Sequence, residues 1–393
     1  MPGPLQADKE GGTVVVDDLR FEIQEEEAQV RPRIKVIGVG GAGSNAVAHM
    51  MDCGLEGVEF HVLNTDVLAL KASPVPNKLA IGLKITNGQG AGGDPEIGRQ
   101  AALEDTARIV EIMAGGDIVF VAAGLGSGTG TGASPVVASL ARELSALTVA
   151  IVTRPFSFEG LRPAEQAAHG LTELAGSADA VIAVPNDRLL TLAPRGTSLL
   201  EAFRMANDIL RQAVGEIVEI ITTPGLINRD FADIRATMRG MGVTLMGTAM
   251  ARGENAALEA ARQAISCPLV EDARMSGARN ILIQVTGSSR LGLHELNEAC
   301  ALIREAAQCE EARVTFGVVL NESMADAVKV TVIAAGFSQP AAAPAFAAPP
   351  ASVPEPEPEP ELVGFTVGAG SPSDDDADDL ETPPYLQHRR LVQ

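Results

Sequence analysis

A unit made of a strand, a glycine-rich turn and a helix recurs in this chain, and it limits the fold more than any other feature. Residues 33–41, RIKVIGVGG, form a short apolar run that ends in glycines and leads into the helical pattern SNAVAHMMDCG (44–54). Residues 117–124, DIVFVAAG, run into GLGSGTGTGASP (124–135) and on to a second helical pattern, VVASLARELS (136–145). Glycine has no Cβ, so a backbone rich in it can approach a ligand closely. Successive N–H groups in such a turn converge on an anion. A helix expected to start near Pro135 adds the positive end of its dipole at the same place. The turn therefore reads as a phosphate cradle. A flexible Gly/Ser/Thr linker has the same composition, but its place between a buried strand and a helix argues against that.

Further apolar runs, EFHVLNTD (59–66), LTVAIVTRPF (147–156) and ADAVIAVPND (178–187), alternate with helical segments. That alternation predicts a parallel sheet covered by helices on both faces. In LLEAFRMANDILRQAVGEIVEIIT (199–222), Leu199, Phe203, Ile209 or Leu210, Val214, Ile217 and Ile221 recur at about three- and four-residue steps. A helix this long, apolar on more than one side, is expected between two subdomains. Strand patterns at 280–287, 312–320 and 327–336, with a helix at 293–307, predict a second, smaller α/β domain with a mixed sheet. The fold class is therefore α/β: a Rossmann-like parallel-sheet domain, a long central helix and a smaller α/β domain, with disordered termini. The boundaries are a disordered extension at 1–31, the nucleotide domain at 32–198, the central helix at 199–223 and the second domain at 224–336. A disordered acidic, Pro-rich linker follows at 337–379, and a tip at 380–393 regains Tyr, Leu and Arg.

Charge and composition narrow the function. Lys and Arg number 30 against 51 Asp and Glu, a net charge of −21, which argues against nucleic acid as a partner but leaves room for a nucleotide. No apolar run is long enough for a signal peptide or a membrane span, so a cytoplasmic protein without direct membrane insertion is expected. Cys53, Cys267, Cys300 and Cys309 form no C-x-x-C pair, and the five histidines are scattered, so no metal site built from protein side chains is predicted.

Two readings compete for the ligand. Gly38-Val39-Gly40-Gly41-Ala42-Gly43 matches G-x-G-x-x-G, and Asp66 ends the next strand about twenty residues on, which is the dinucleotide fingerprint of an NAD-dependent oxidoreductase. The second loop counts against that reading, because a dinucleotide needs one cradle for its pyrophosphate. Two cradles at the ends of neighbouring parallel strands enclose three phosphates, with Thr129 and Thr131 as hydroxyl donors and GQGAGGDP (88–95) as further Gly-rich backbone. No catalytic His or Tyr constellation accompanies the fingerprint, and no G-x-x-x-x-G-K-[ST] occurs, so the chain is not a P-loop NTPase either.

At this point the motifs carry a resemblance. GSGTGTG (126–132), GVGGAGSNAV (38–47), NTD (64–66), RPFSFEG (154–160), ANDIL (206–210) and NRDFADIRATM (228–238) resemble those of the tubulin/FtsZ family of GTPases, in the order expected of its bacterial cell-division branch. LVEDARMSGARNILIQVTG (269–287) resembles that branch's second domain, so the likeness covers residues 33–336 and the C-terminal tip. It implies a GTP-binding, self-assembling filament protein of the division ring at mid-cell. Gly41, Ala42, Gly43, Ser44 and Asn45 would contact the nucleotide, and Gly128, Thr129, Gly130, Thr131 and Gly132 would hold its phosphates. Glu159 would lie at the ribose. Four residues after it, where the family has a basic residue, stands Pro163, with Arg162 one position earlier. Asp208 would face the guanine, whose N1–H and N2–H are both donors, with Asn186 or its neighbours nearby.

Read alone, Asn228, Asp230 and Asp233 are an N-cap and acids at the start of a helix. The resemblance makes them catalytic: one subunit would insert them into the next subunit's site, to orient the attacking water and help the phosphates hold Mg2+. GTP hydrolysis to GDP and phosphate would then be completed on head-to-tail assembly of a homopolymer. A nonhydrolytic scaffold of the same fold is the third reading, and the intact NRDFAD counts against it. The tip at 380–393 resembles a peptide that binds membrane-tethering division proteins. Pro383, Tyr385 and Leu386 match its core, while Thr382, Gln387 and His388 depart from it.

Overall fold

Apolar runs of six to eight residues bounded by glycine or polar residues become strands, and the central two, 34–39 and 118–124, are buried throughout. The structure, a computed structural model, describes residues 14–16, 19–21, 32–194, 196–223, 225–226, 231–266, 275–309 and 311–337. Its first described elements are β1 (Val14–Val16) and β2 (Leu19–Phe21), an antiparallel ribbon inside the segment expected to lack order. Then come β3 (Ile34–Val39), α1 (Gly40–Asp52), β4 (Val58–Asn64), α2 (Val67–Ala72), β5 (Asn77–Ala80), α3 (Leu83–Thr86), α4 (Pro95–Glu104) and α5 (Thr106–Met113). β6 (Ile118–Gly124), α6 (Gly128–Glu143), β7 (Leu147–Arg154), α7 (Leu161–Ser177), β8 (Ala180–Pro185) and α8 (Asp187–Leu192) complete the first half. The long helix α9 (Leu199–Thr222) leads to α10 (Phe231–Met238), β9 (Gly242–Arg252), α11 (Ala256–Ile265), β10 (Asn280–Gly287), α12 (Leu293–Ala307), β11 (Arg313–Leu320) and β12 (Ala327–Ala335).

Ten strands form one continuous sheet in the order β11-β10-β12-β9-β8-β7-β6-β3-β4-β5. From β5 to β9 every neighbouring pair is parallel; β9–β12 and β12–β10 are antiparallel, and β10–β11 is parallel. The parallel and mixed sheets foreseen separately are thus joined edge to edge, through Ala180–Ile182 of β8 against Gly242–Thr244 of β9. β9 is not legible in the sequence, because Gly, Thr and Met interrupt its apolar alternation (GVTLMGTAMAR).

One face of the parallel sheet is closed by α1, α9 and α10, the other by α4, α5, α6 and α7. A third core joins α11 and α12 to β9, β10 and β12. Helix α9 buries Leu210, Ala213, Val214, Ile217, Val218 and Ile220 in a core shared with Met246, Leu282 and Ile333 of the mixed strands. It also offers polar groups to that side. Lys329 Nζ on β12 lies 2.5 Å from Glu219 and 3.2 Å from Glu216, and Thr331 Oγ1 donates to Glu216 at 2.9 Å. A capping box at Ser198 and Glu201 starts α9.

One expectation is corrected. The second glycine turn is not a loop before a helix at Pro135: α6 begins at Gly128, and Pro135 lies inside it. The cause is helix packing. A Cβ on Gly132 would run into the Pro95 carbonyl of α4, and one on Gly128 would sit 2.8 Å from Asp94 N. Glycines here let α4 and α6 touch backbone to backbone. The expected catalytic residues Asn228 and Asp230, nearly all of the linker at 337–379 and the tip at 380–393 lie outside the described residues.

Candidate nucleotide site

β3 and β6 are adjacent and parallel, so their glycine turns emerge side by side at the carboxyl edge of the sheet. They touch there. Gly40 has φ +72°, and a Cβ on it would lie 2.9 Å from Gly130 N. A Cβ on Gly124 would come within 2.6 Å of the Ala42 methyl. This convergence of two turns across neighbouring strands is the arrangement expected from the sequence.

Both helices begin without side-chain caps. Asp66 caps α2, Asp94 caps α4 and Ser198 caps α9, each by accepting first-turn N–H groups. By contrast, the Val39 cap of α1 and the Ser127 cap of α6 make no such bond, and neither helix has an acid in its first turn. The first N–H groups of a helix have no partner within it, and the dipole end there is positive. Two such ends meeting at one edge form a site for an anion larger than a single phosphate. Asp66, the acid that a dinucleotide fold would turn toward a ribose, instead accepts Leu68 N at 2.8 Å and Ala69 N at 3.1 Å.

The sequence-predicted residues divide by what they face. Gly41, Ala42 and Asn45 form an exposed stripe on α1, and nothing lies within 4 Å of a Cβ placed on Gly41. Gly43 is packing: its Cβ would run into the Ala122 carbonyl of β6. Ser44 is buried, and its hydroxyl has no partner among the described residues. A buried, unpartnered hydroxyl at the edge of the cradle fits a ligand oxygen. Thr129 Oγ1 pairs with Thr65 Oγ1 at 2.7 Å, and Thr131 Oγ1 accepts Gly126 N at 2.8 Å. These bonds help to hold the turn in shape, and the Thr131 hydroxyl, which accepts there, keeps its own O–H to donate. Gly128, Gly130 and Gly132 are buried in the first turns of α6.

The rim is built by β7, α7 and α9. Glu159 is exposed, and its carboxylate accepts Phe156 N at 2.8 Å, closing the tight turn after β7. The Pro163 carbonyl lies 2.9 Å from the Cβ position of Gly126, so the start of α7 abuts the second turn and Arg162 is exposed beside it. Asn186, at the end of β8, is buried with its side-chain oxygen unpartnered among the described residues, a second orphan that fits a ligand donor. Asp208 stands on α9 facing α1. Its Oδ1 accepts Arg211 Nε at 2.7 Å and lies 3.5 Å from His49 Nε2, and its Oδ2 accepts Gln212 Nε2 at 2.9 Å. Burial works to raise the Asp208 carboxyl, but Arg211, Gln212 and His49 together outweigh it and hold it below the usual value.

His49, Arg211, Gln212 and the half-exposed ring of Phe203 were missed in the sequence. The signals for the polar three were spacing alone: His49 one turn after Asn45, Arg211 and Gln212 three and four after Asp208. Asp233 is exposed in the first turn of α10. It does not join the cradle. Two residues on, the Arg235 guanidinium donates to the Ser145 carbonyl, just before β7 begins, whereas the cradle lies where β3 and β6 end, at the carboxyl edge of the parallel strands. Among the described residues, no group of three or more His, Cys, Asp or Glu side chains is arranged to hold a metal ion.

Comparison with known proteins follows the same division of the chain. The model of the tubulin/FtsZ family GTPase domain matches residues 33–194, and that of the FtsZ family C-terminal domain matches residues 242–338. An empty FtsZ dimer from M. jannaschii is similar with a TM-score of 0.71 and 37% identity, over 79% of this chain and 89% of that one. CetZ2 from Haloferax volcanii, a GTPγS-bound protofilament, shares the fold at a TM-score of 0.69 and 23% identity, over 78% of this chain and 94% of that one. With both domain models matched in order and 37% identity sustained across four fifths of its length, this chain belongs to the tubulin/FtsZ family of GTPases.

Proposed function

We propose that this protein is a self-assembling filament GTPase of the cell-division ring, in which each active site is completed by the next subunit. One observation carries this reading: the anion cradle and the acidic start of α10 lie at opposite edges of one sheet. β7 has eight residues, so its two ends are about 23 Å apart. Asp233 therefore cannot reach a phosphate bound to its own chain. A second copy stacked head to tail brings its α10 to the first copy's cradle, and a heterologous contact of this kind propagates as a filament.

In that assembly the uncapped N–H groups of α1 and α6 bind the phosphate chain, and Ser44 donates to it. Asp208 accepts from the guanine N1–H and N2–H, Asn186 reads a further polar group of the nucleoside, and Phe203 offers its exposed face to the base. Glu159 and Arg162 hold the ribose side of the rim. Asp233 of the neighbour, with Asn228 and Asp230, orients the attacking water and accepts its proton as the γ-phosphate leaves. Mg2+ would supply charge neutralisation there, and the neighbour's Asp230 and Asp233 are the carboxylates that would help the phosphates to hold it. The protein acts in the cytoplasm at mid-cell and reaches membrane-tethering division proteins through residues 380–393. A GTPγS-bound CetZ2 protofilament supports assembly, and the FtsZ dimer supports self-association.

The test is complementation between halves. Asp233→Ala is expected to bind GTP as the parent does and to lose at least nine tenths of turnover. A second variant, blocked in the cradle by Gly41→Leu, is expected to lose turnover by failing to bind. Mixed, the two form interfaces that pair an intact cradle with an intact Asp233, and part of the activity returns. No recovery at any ratio, in mixtures that sediment as joint polymer, sinks the shared site.

A further inference from the structure

We infer that Arg211 and Gln212 are positioning residues for base selectivity: each occupies one oxygen of the Asp208 carboxylate and so leaves one lone pair per oxygen for a guanine edge. The inference rests on the nucleotide reading above and names what makes that site prefer one base.

An ionised carboxylate offers about four lone-pair sites on two oxygens. At Asp208, Arg211 Nε takes one on Oδ1 at 2.7 Å, and Gln212 Nε2 takes one on Oδ2 at 2.9 Å. Both donors come from the same helix, three and four residues on, where side chains reach each other across one turn. One site per oxygen remains, and the 41% exposure of the Asp208 side chain leaves it reachable. The guanine edge carries two neighbouring donors, N1–H and N2–H, which need two acceptors side by side. Adenine presents a ring acceptor there, and hypoxanthine lacks the 2-amino group.

Two further features of the geometry matter. The Arg211 guanidinium is a planar, permanently charged donor, so it fixes the carboxylate plane as well as its charge. A neutral carboxyl would place a proton where an acceptor is required. The titratable or charged groups acting on Asp208 are Arg211 on its own helix and His49 on α1, with Nε2 3.5 Å from Oδ1.

The experiment is equilibrium binding of GTP, ITP and ATP to the full chain and to Arg211→Met, Arg211→Lys and Gln212→Leu at neutral pH. The parent is expected to prefer GTP to ITP by tenfold or more, the loss of one bond to a charged acceptor. Arg211→Met is expected to narrow that ratio to threefold or less, by weakening GTP far more than ITP. Arg211→Lys keeps the charge but not the planar fork, so it restores only part of the ratio. Gln212→Leu also narrows the ratio, and it carries the test if Arg211→Met does not fold. If Arg211→Met and Gln212→Leu keep the parental ratio within twofold, the inference is wrong while the nucleotide site stands. A parent that binds GTP no better than ATP overturns the nucleotide reading, and this inference with it.

Discussion

Gly41 and Gly43 lie two residues apart in the first turn of α1 and answer to different demands. Gly43 has no room for a methyl group because α1 rests on the Ala122 carbonyl of β6, whereas Gly41 faces open space. Gly43→Ala is expected to lower stability by about 2 kcal/mol or more, the usual scale of overpacking against backbone. Gly41→Leu is expected to melt within a degree or two of the parent yet bind GTP at least tenfold more weakly. Thermal melts and a binding isotherm on the pair separate a packing glycine from a ligand-facing one; equal melting losses would contradict the assignment. His61 gives a second residue-scale expectation. Burial pushes its imidazole below the ordinary value, and Glu59, 2.8 Å away, only partly restores it. The unfolded chain then binds the proton more readily than the folded one, so stability falls as pH drops below about 6.5 toward the lower folded value. His61→Gln, which cannot charge, is expected to flatten that part of the stability profile measured by urea unfolding.

At the scale of elements, α9 holds the molecule together. Its apolar stripe is shared by the parallel and mixed parts of the sheet, and its polar edge is tied to β12 by Lys329. Burial works to lower the Lys329 ammonium, but Glu216 and Glu219 outweigh it and raise it above the usual lysine value. A raised base contributes stability at all lower pH and loses it only as pH climbs through the folded value, so the tie is intact at neutral pH. Lys329→Met leaves two half-buried carboxylates facing each other and is expected to cost about 2–3 kcal/mol. Adding Glu216→Gln and Glu219→Gln should recover most of that loss. Failure to recover, seen in denaturant melts, would mean that Lys329 acts by packing its stem, not by charge.

For the whole molecule, polarity matters more than the count of domains. The cradle opens at the carboxyl edge of the parallel strands, while α10 lies on the same face as α1 with its Arg235 anchored near the amino end of β7. The expected consequence is that GTP turnover per molecule rises with protein concentration through the range where filaments appear. Light scattering and phosphate release recorded together check this. Turnover that stays constant per molecule, while scattering rises, would place the whole active site within one chain. The net charge of −21 adds that subunits repel at low ionic strength, so salt should shift the onset to lower concentration.

Much of this was legible in the sequence because it is local. Strand β10 and helix α12 fall where their periodicity puts them, since an apolar run or a three-and-four-residue stripe is a property of neighbours along the chain. The glycine turns, the candidate cradle residues and the family all followed from short motifs in order. What the sequence could not decide was which of two uses each residue serves. Thr129 and Thr131 read as phosphate donors and also bond within the protein, to Thr65 and to Gly126 N; the GTGTG run read as a loop but is helix, packed against α4. β9 was hidden because a strand with a broken alternation is specified by its neighbours, here β8 and β12, and not by its own residues. The bracket of His49, Arg211 and Gln212 around Asp208 needed α1 and α9 packed face to face. The separation of Asp233 from the cradle is set by the length of the strands along which both lie. Pairing, burial and distance across the sheet arise from contacts far apart in the chain, and only the folded molecule sets them.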